Sequence, residues 1–374
     1  MLEIKYGLIY KLAIRNQQSA KIADLKMMKS LTASRQGIPF TIYIFLILLF
    51  SLSLKAQDIH FTQYYNGPLN VNPALTGFFK GSQRFTLQNK TQWRSVTTPF
   101  QTIAASFDMP VIKRFIKRDI FGGGVAVFRD QAGDSKFGTT QINFSFSYIK
   151  PLSRISKQFV SFGIQAGVAQ RTIDYSKLIF DNQYDGSAFN SGLDNNEQFA
   201  KNNFVFLDLS AGASWYCIVQ KNFVINAGAA MFHINMPKQS MFGNNNIRLD
   251  PKLVLHGGTQ LGISNKFQLI PSLMFMKQGA YSEFNIGSLA KFIKVPNGGK
   301  YMALSLGMFY RYGDALNFVA GMDYKDIFAG LNYDVNLSKL LPASNAKGGL
   351  ELSLVYIINK NKRSYIRKIP CPIF

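Results

Sequence analysis

From about Ser82 onward, apolar residues recur at every second position rather than every third or fourth. Between 141 and 148, Ile142, Phe144, Phe146 and Tyr148 alternate with Gln141, Asn143, Ser145 and Ser147. Between 160 and 168, Val160, Phe162, Ile164, Ala166 and Val168 alternate with Ser161, Gly163, Gln165 and Gly167. Leu350, Leu352, Leu354 and Tyr356 repeat the pattern around Glu351, Ser353 and Val355. This period sends successive side chains to opposite faces of a strand. It predicts strands near 83–93, 101–109, 120–129, 138–149, 158–170, 204–216, 222–234, 252–263, 267–276, 282–292, 301–311, 315–324, 327–335 and 349–358. Most reach the roughly 9–11 residues that a tilted strand needs to cross a bilayer. A water-soluble sandwich would show shorter strands and would need a second sheet over each apolar face. In a transmembrane barrel the apolar half meets lipid and the small polar half meets the lumen. Closure also removes the unpaired edges that lipid does not tolerate. The expected fold is all-β, a transmembrane outer-membrane β-barrel of about 14 antiparallel strands.

The connections support that reading. If the first strand runs outward, 110–119, 150–157, 217–221, 264–266, 293–300 and 325–326 lie in the periplasm. The two longest connections, 171–203 and 235–251, then lie outside. Short inner turns and long outer loops are the asymmetry expected of bacterial barrels. The inner turns are also basic, with Lys113, Arg114, Lys117, Arg118, Lys150, Arg154, Lys157, Lys221, Lys266, Lys294, Lys300 and Lys325 against Asp119 and Asp326. Attraction to anionic headgroups explains this, and so does docking of an acidic periplasmic partner.

Ahead of the strands, Gly37 to Leu54 carries no charge and follows Lys26, Lys29 and Arg35. A basic stretch, an apolar stretch and Leu54-Lys55-Ala56 read as a signal peptide cleaved after Ala56. A retained anchor is the alternative. Met27 or Met28 would give a leader of conventional length. The chain therefore divides into an upstream extension and signal peptide (1–56), a mature amino-terminal segment (57–81), the barrel (82–358) and a basic carboxy-terminal tail (359–374). About 14 strands enclose a lumen wider than that of a filled 8-strand barrel. Both 57–81 and 171–203 are long enough to plug it.

Composition agrees. Of 374 residues, 17% are charged, below the roughly 25% of soluble proteins, and 14% are aromatic. The net charge of +22 would suggest nucleic acid in a soluble protein. Beside a secretory signal it does not. Cys217 and Cys371 lie far apart and form no disulfide framework or metal spacing. His60, His233 and His256 form no spaced metal set. Ser210 and Ser272 lie on strands neighbouring those of His233 and His256, but any barrel offers such combinations, so no catalytic residue and no cofactor are assigned. The run Gly122-Gly123-Gly124 has no following helix to make a phosphate loop, and reads as close backbone packing.

Several segments resemble the PorP/SprF family of type IX secretion system membrane proteins of the Bacteroidota. Gln57-Asp58-Ile59-His60-Phe61-Thr62-Gln63-Tyr64, with Asn66-Gly67-Pro68-Leu69 and Asn72-Pro73-Ala74-Leu75-Thr76-Gly77, resembles its opening motif, apart from the inserted Gly67. His233, Pro237 and His256-Gly257-Gly258 resemble its centre. Tyr310-Arg311, Asp314, Tyr333-Asp334, Asn336 and Gly348-Gly349-Leu350-Glu351 resemble its late motifs. Cys371-Pro372-Ile373-Phe374 resembles its terminus, which usually has Arg where this chain has Ile373. The residues singled out, as structural or partner-binding, are Gln63, Tyr64, Pro68, Asn72, Pro73, Gly77, His233, Pro237, His256, Arg311, Asp314, Tyr333, Asp334, Gly349 and Glu351.

The resemblance implies a non-enzymatic protein in the outer membrane of a Gram-negative bacterium. It would assist secretion or surface anchoring of a large exported protein, in some members a gliding-motility adhesin. Its partners would be outer-membrane lipid, the type IX machinery in periplasm or outer membrane, and that exported protein, with no nucleic acid. Two other readings remain: a porin-like or solute-transport barrel, and a membrane hydrolase. From the residues themselves, Arg311 and Asp314 are expected to tie one outer turn, and Tyr333, Asp334 and Asn336 to organise the loop before the last strand.

Overall fold

The computed structural model describes residues 58–94, 98–111, 119–152, 157–190, 192–194, 201–241, 247–294, 301–338 and 341–359. The signal peptide, the tail beyond Asn359, Cys371 and the basic cluster at 113–118 lie outside them.

Fourteen strands close into an antiparallel barrel in sequence order: β1 (Gln83–Gln92), β2 (Phe100–Val111), β3 (Ile120–Ala132), β4 (Phe137–Pro151), β5 (Gln158–Thr172), β6 (Asn203–Gln220), β7 (Phe223–Phe232), β8 (Lys252–Gly262), β9 (Phe267–Gln278), β10 (Tyr281–Lys294), β11 (Met302–Arg311), β12 (Ala315–Tyr324), β13 (Ile327–Asn336) and β14 (Lys347–Ile358). β1 and β14 seal the ring, with Gln83 opposite Ile358 and Gln92 opposite Gly349. Each predicted strand is present, most with ends shifted by only a few residues. One end needs correction. His233 and Ile234 do not continue β7, because His233 adopts φ 57°, which breaks the ladder.

Alternation places the faces as expected. Phe144 (66% exposed), Ile164 (63%) and Leu207 (66%) point outward, whereas Gln141, Asn143, Ser145, Ser161 and Gln165 are buried inside. Exposed tyrosines mark both rims: Tyr310, Tyr312 and Tyr333 at one end, Tyr301, Tyr324 and Tyr356 at the other. Such aromatic girdles sit at the two lipid–water interfaces. The end carrying the long connections 173–202 and 233–251 is the outer mouth by the same rule, and β1 starts and β14 finishes at the inner one. No helix among the described residues is long and apolar enough to cross a membrane.

The amino-terminal segment lies inside the ring. It turns through a 3-10 turn at Tyr64–Asn66, the four-residue helix α1 (Pro68–Val71) and a second 3-10 turn at Pro73–Leu75. Pro68 and Pro73 each stand at the first position of a turn, where the fixed φ favours helical backbone and no amide is lost. A short helix, α2 (Leu341–Ser344), precedes β14. The described part of the long connection after β5, 173–190, stays outside, with 3-10 turns at Tyr175–Lys177 and Asp181–Gln183 and with Ile179 and Tyr184 exposed.

Candidate functional site: the filled lumen

The inward face of a strand in a water-filled pore should be polar. Here it carries apolar patches, and each meets the segment. Tyr64, Tyr65 and Val71 pack with Phe232, Val254, Ile270, Met274, Met276, Leu289 and Phe309. The Tyr65 ring stacks on Phe309 at 5.7 Å between centroids. Leu75 and Phe78 pack with Ile149, Phe159 and Tyr216, and Phe61 packs with Ala104 and Phe128. Leu69, Leu75, Phe78 and Phe79 are at most 1% exposed. Each such side chain contributes about 1.5–3 kcal/mol to holding the segment in place.

Polar latches fix its register. Glu351 on β14 is buried, and its carboxylate accepts the backbone amides of Thr62 and Gln63, both at 2.8 Å. Deeper, Asn66 donates to Ser353 Oγ (2.8 Å), which donates to Gln63 Oε1 (2.7 Å). Asn72 stands half-way down. Its Oδ1 accepts the Ala74 amide (2.9 Å), its Nδ2 donates to the carbonyls of Ala213 (2.9 Å) and Ala229 (3.2 Å), and His256 Nε2 lies 3.1 Å away. At the inner end, Asp108 accepts the Gly77 amide (2.7 Å) and two bonds from Arg84 (2.7 and 2.9 Å), while Arg84 also donates to the Leu75 carbonyl (3.2 Å). These are charge-assisted bonds, roughly twice as strong as neutral ones.

The outer mouth holds a second cluster. Asp58 Oδ2 lies 2.5 Å from Lys252 Nζ and 3.3 Å from His233 Nε2, and His233 Nδ1 lies 2.8 Å from Asp208 Oδ1. Burial alone would raise the Asp58 carboxyl, but the Lys252 charge and the His233 ring hold it well below its ordinary value. Burial alone would lower His233, but hydrogen bonds to Asp208 and Asp58 raise it. His60 lies well below its ordinary value because it is buried and because Lys90 and Arg311 are cationic neighbours. Beside it, Arg311 Nη2 donates to Asp334 Oδ2 (3.0 Å) and Nε lies 2.6 Å from Asp314. Asp334 also accepts Asn332 Nδ2 (2.5 Å) and Thr62 Oγ1 (3.3 Å).

Most of the motif residues therefore meet in one place. Gln63, Tyr64, Asn72, Gly77, His233, His256, Arg311, Asp334 and Glu351 lie along the contact between segment and wall, and Asp314 pairs with Arg311. Three do not. Tyr333 points outward at 43% exposure, Gly349 pairs across the wall with Gln92, and the Pro237 carbonyl accepts the Leu249 amide in an outer connection. The loop before β14 is organised by Asn336, which accepts Ser338 N and Oγ and donates to Ser344 Oγ, rather than by Tyr333 or Asp334. His233 meets two carboxylates and His256 an amide. Asp58, Arg84, Asp108, Asp208 and Lys252 were not singled out from sequence. Arg84 and Asp108 carried a signal, since each is a charge on the inward phase of its strand, Asp108 alone on β2 and Arg84 with Lys90 on β1.

Two wall glycines permit the close approach. A Cβ at Gly163 would run into the backbone of Pro73 and Ala74, and one at Gly122 into the Thr76 carbonyl. Gly163→Val is expected to push the Pro73–Leu75 turn off the wall, costing about 1–3 kcal/mol. Limited proteolysis in detergent micelles should then cut within 58–81 while the strands stay protected. Unchanged protection would mean that the segment does not bear on Gly163.

The sequence profile of the family described as type IX secretion system membrane protein PorP/SprF matches residues 53–356. The chain belongs to that family. It is an outer-membrane β-barrel and a membrane component of the type IX secretion system, and PorP/SprF is a family of secretion components, not of enzymes. No protein of curated function matches the sequence. Among solved structures, the barrel is similar to the Ralstonia pickettii toluene transporter TbuX, at 12% identity over 78% of this chain and 92% of that one, with a TM-score of 0.46. It is also similar to the P. putida toluene transporter TodX, at 10% identity over 79% and 95%, with a TM-score of 0.43.

Proposed function

We propose that this PorP/SprF barrel is a plugged, non-conducting scaffold that assists secretion or surface anchoring of a large exported protein, a gliding-motility adhesin being one such cargo. The observation that carries this reading is the filled lumen. The segment Asp58–Phe79 contacts the inward wall from the outer latch to the inner one, and family residues supply most of the contacts. A barrel that fills its own pore offers its outer loops and inner turns for work. The outer connections after β5 and β7 are the surface offered to an exported protein, and the inner turns, basic in sequence, are offered to the secretion machinery.

The test is a pull-down of the tagged barrel from gently solubilised outer membranes, paired with a gene deletion. Co-purification of type IX machinery or a large surface protein, together with loss of that protein from the surface of deletion cells, is the expected result. Cargo secreted and retained normally without the barrel would overturn the proposal.

A further inference from the structure

The segment crosses the lumen once, and its direction is fixed by its partners. Asp58 donates its amide to Gln278 (3.0 Å), the last residue of β9, and pairs with Lys252, the first residue of β8. Both strand ends border the outer mouth. Thr62 and Gln63 meet Glu351 four residues into β14, and Asn72 meets the middle of the wall. Thr76 and Gly77 then meet Ser147 and Asp108, near the inner ends of β4 and β2. Ser82 joins β1 at the inner rim, donating to the Ile358 carbonyl (2.8 Å). The chain thus enters its own lumen from outside and leaves it inside.

We infer that the amino end of the mature protein stands at the cell surface, and that the chain must be cut upstream of Asp58 before the barrel closes. Asp58, the first described residue, lies at the outer mouth. A chain returning from the outer mouth would first have to pass the spaces left between segment and wall beside Asp58 and His60, which hold only about 310 and 360 Å³; a larger space of about 690 Å³ lies deeper, beside Asn66 and Phe79, and an extended chain needs about ten residues to cross. An uncut leader held in the inner membrane would pull from the opposite side, and a wall cannot close around a strand whose outer end is tethered on the inner side. Cleavage after Ala56 frees that end. Water adds across the Ala56–Gln57 amide under a signal peptidase, leaving a carboxylate on Ala56 and an α-ammonium group on Gln57.

The test uses the full chain with a short epitope inserted between Gln57 and Asp58, and a second form with the epitope in the 325–326 turn. On intact cells, antibody should bind the first and reach the second only after permeabilisation. A folded barrel whose first epitope is hidden until permeabilisation would overturn the inference. Ala56→Arg, which blocks cleavage, should leave the chain in cells without the mobility shift on heating that marks a folded barrel. The same uncut protein, purified and refolded in micelles where nothing tethers its leader, should acquire that shift. An uncut chain that folds in cells, or one that fails in micelles as well, would sink the tether argument.

Discussion

Replacing Arg311 with Met should remove about 3–5 kcal/mol of stability, the cost of leaving a buried charge without its partner. The guanidinium is 1% exposed, 3.0 Å from Asp334 and 2.6 Å from Asp314. Asp334 is itself 1% exposed, and its remaining donors, Thr62 Oγ1, Asn332 Nδ2 and the Asn317 side-chain amide, are neutral. Without the cation, the carboxylate must take up a proton, draw in water or break the contact with the segment. Asp334→Asn in the Arg311→Met background removes the stranded charge, so the double variant should recover much of the loss. Urea titration of the folded barrel in micelles, followed by heat-dependent mobility, reads both. A single-variant loss below about 1 kcal/mol would place the pair among hydrated surface bridges and remove Asp334 as an anchor.

The wall was legible because lipid outside and polar partners inside constrain every strand position twice. A one-residue slip in β4 would put Phe144 and Phe146 in the lumen and Asn143 and Ser145 in lipid. The end of β7 was not legible, since apolar Ile234 prolongs the pattern and nothing local announces the positive φ of His233. The lumen's occupant was legible only as a choice between two stretches of sufficient length. Its residue-level signature sat elsewhere. On β9, Ile270, Met274 and Met276 face inward while Leu273 faces out, so that strand is apolar on both sides. An inward methionine pair is a request for an apolar partner, and the partner lies some 200 residues upstream, beyond the reach of any periodicity. The family motifs named both members of several latches, Thr62 and Glu351, Asn72 and His256, Arg311 and Asp334. They did not say that these residues meet in pairs.

Deleting Asp58–Phe79 should convert a silent barrel into a conducting one. The wall does not depend on the segment for closure, because all fourteen strands are paired to their neighbours by backbone ladders. What it loses is the apolar anchors and the donors to Glu351 and Asp108. Those carboxylates, with Lys90 and Arg84, would then face water, where they are solvated at little cost, so the emptied barrel should fold. Fourteen strands enclose more space than the eight whose side chains suffice to fill a lumen, and a lumen of that width, polar except for the patches that the segment covered, passes ions. In planar bilayers the intact protein should give no steady current and the deletion variant a steady one. Two results would count against this. A folded deletion variant that stays silent would mean that the outer connections close the pore without the segment. A steady current through the intact protein would mean that the segment does not seal it, and the transport reading would then displace the scaffold.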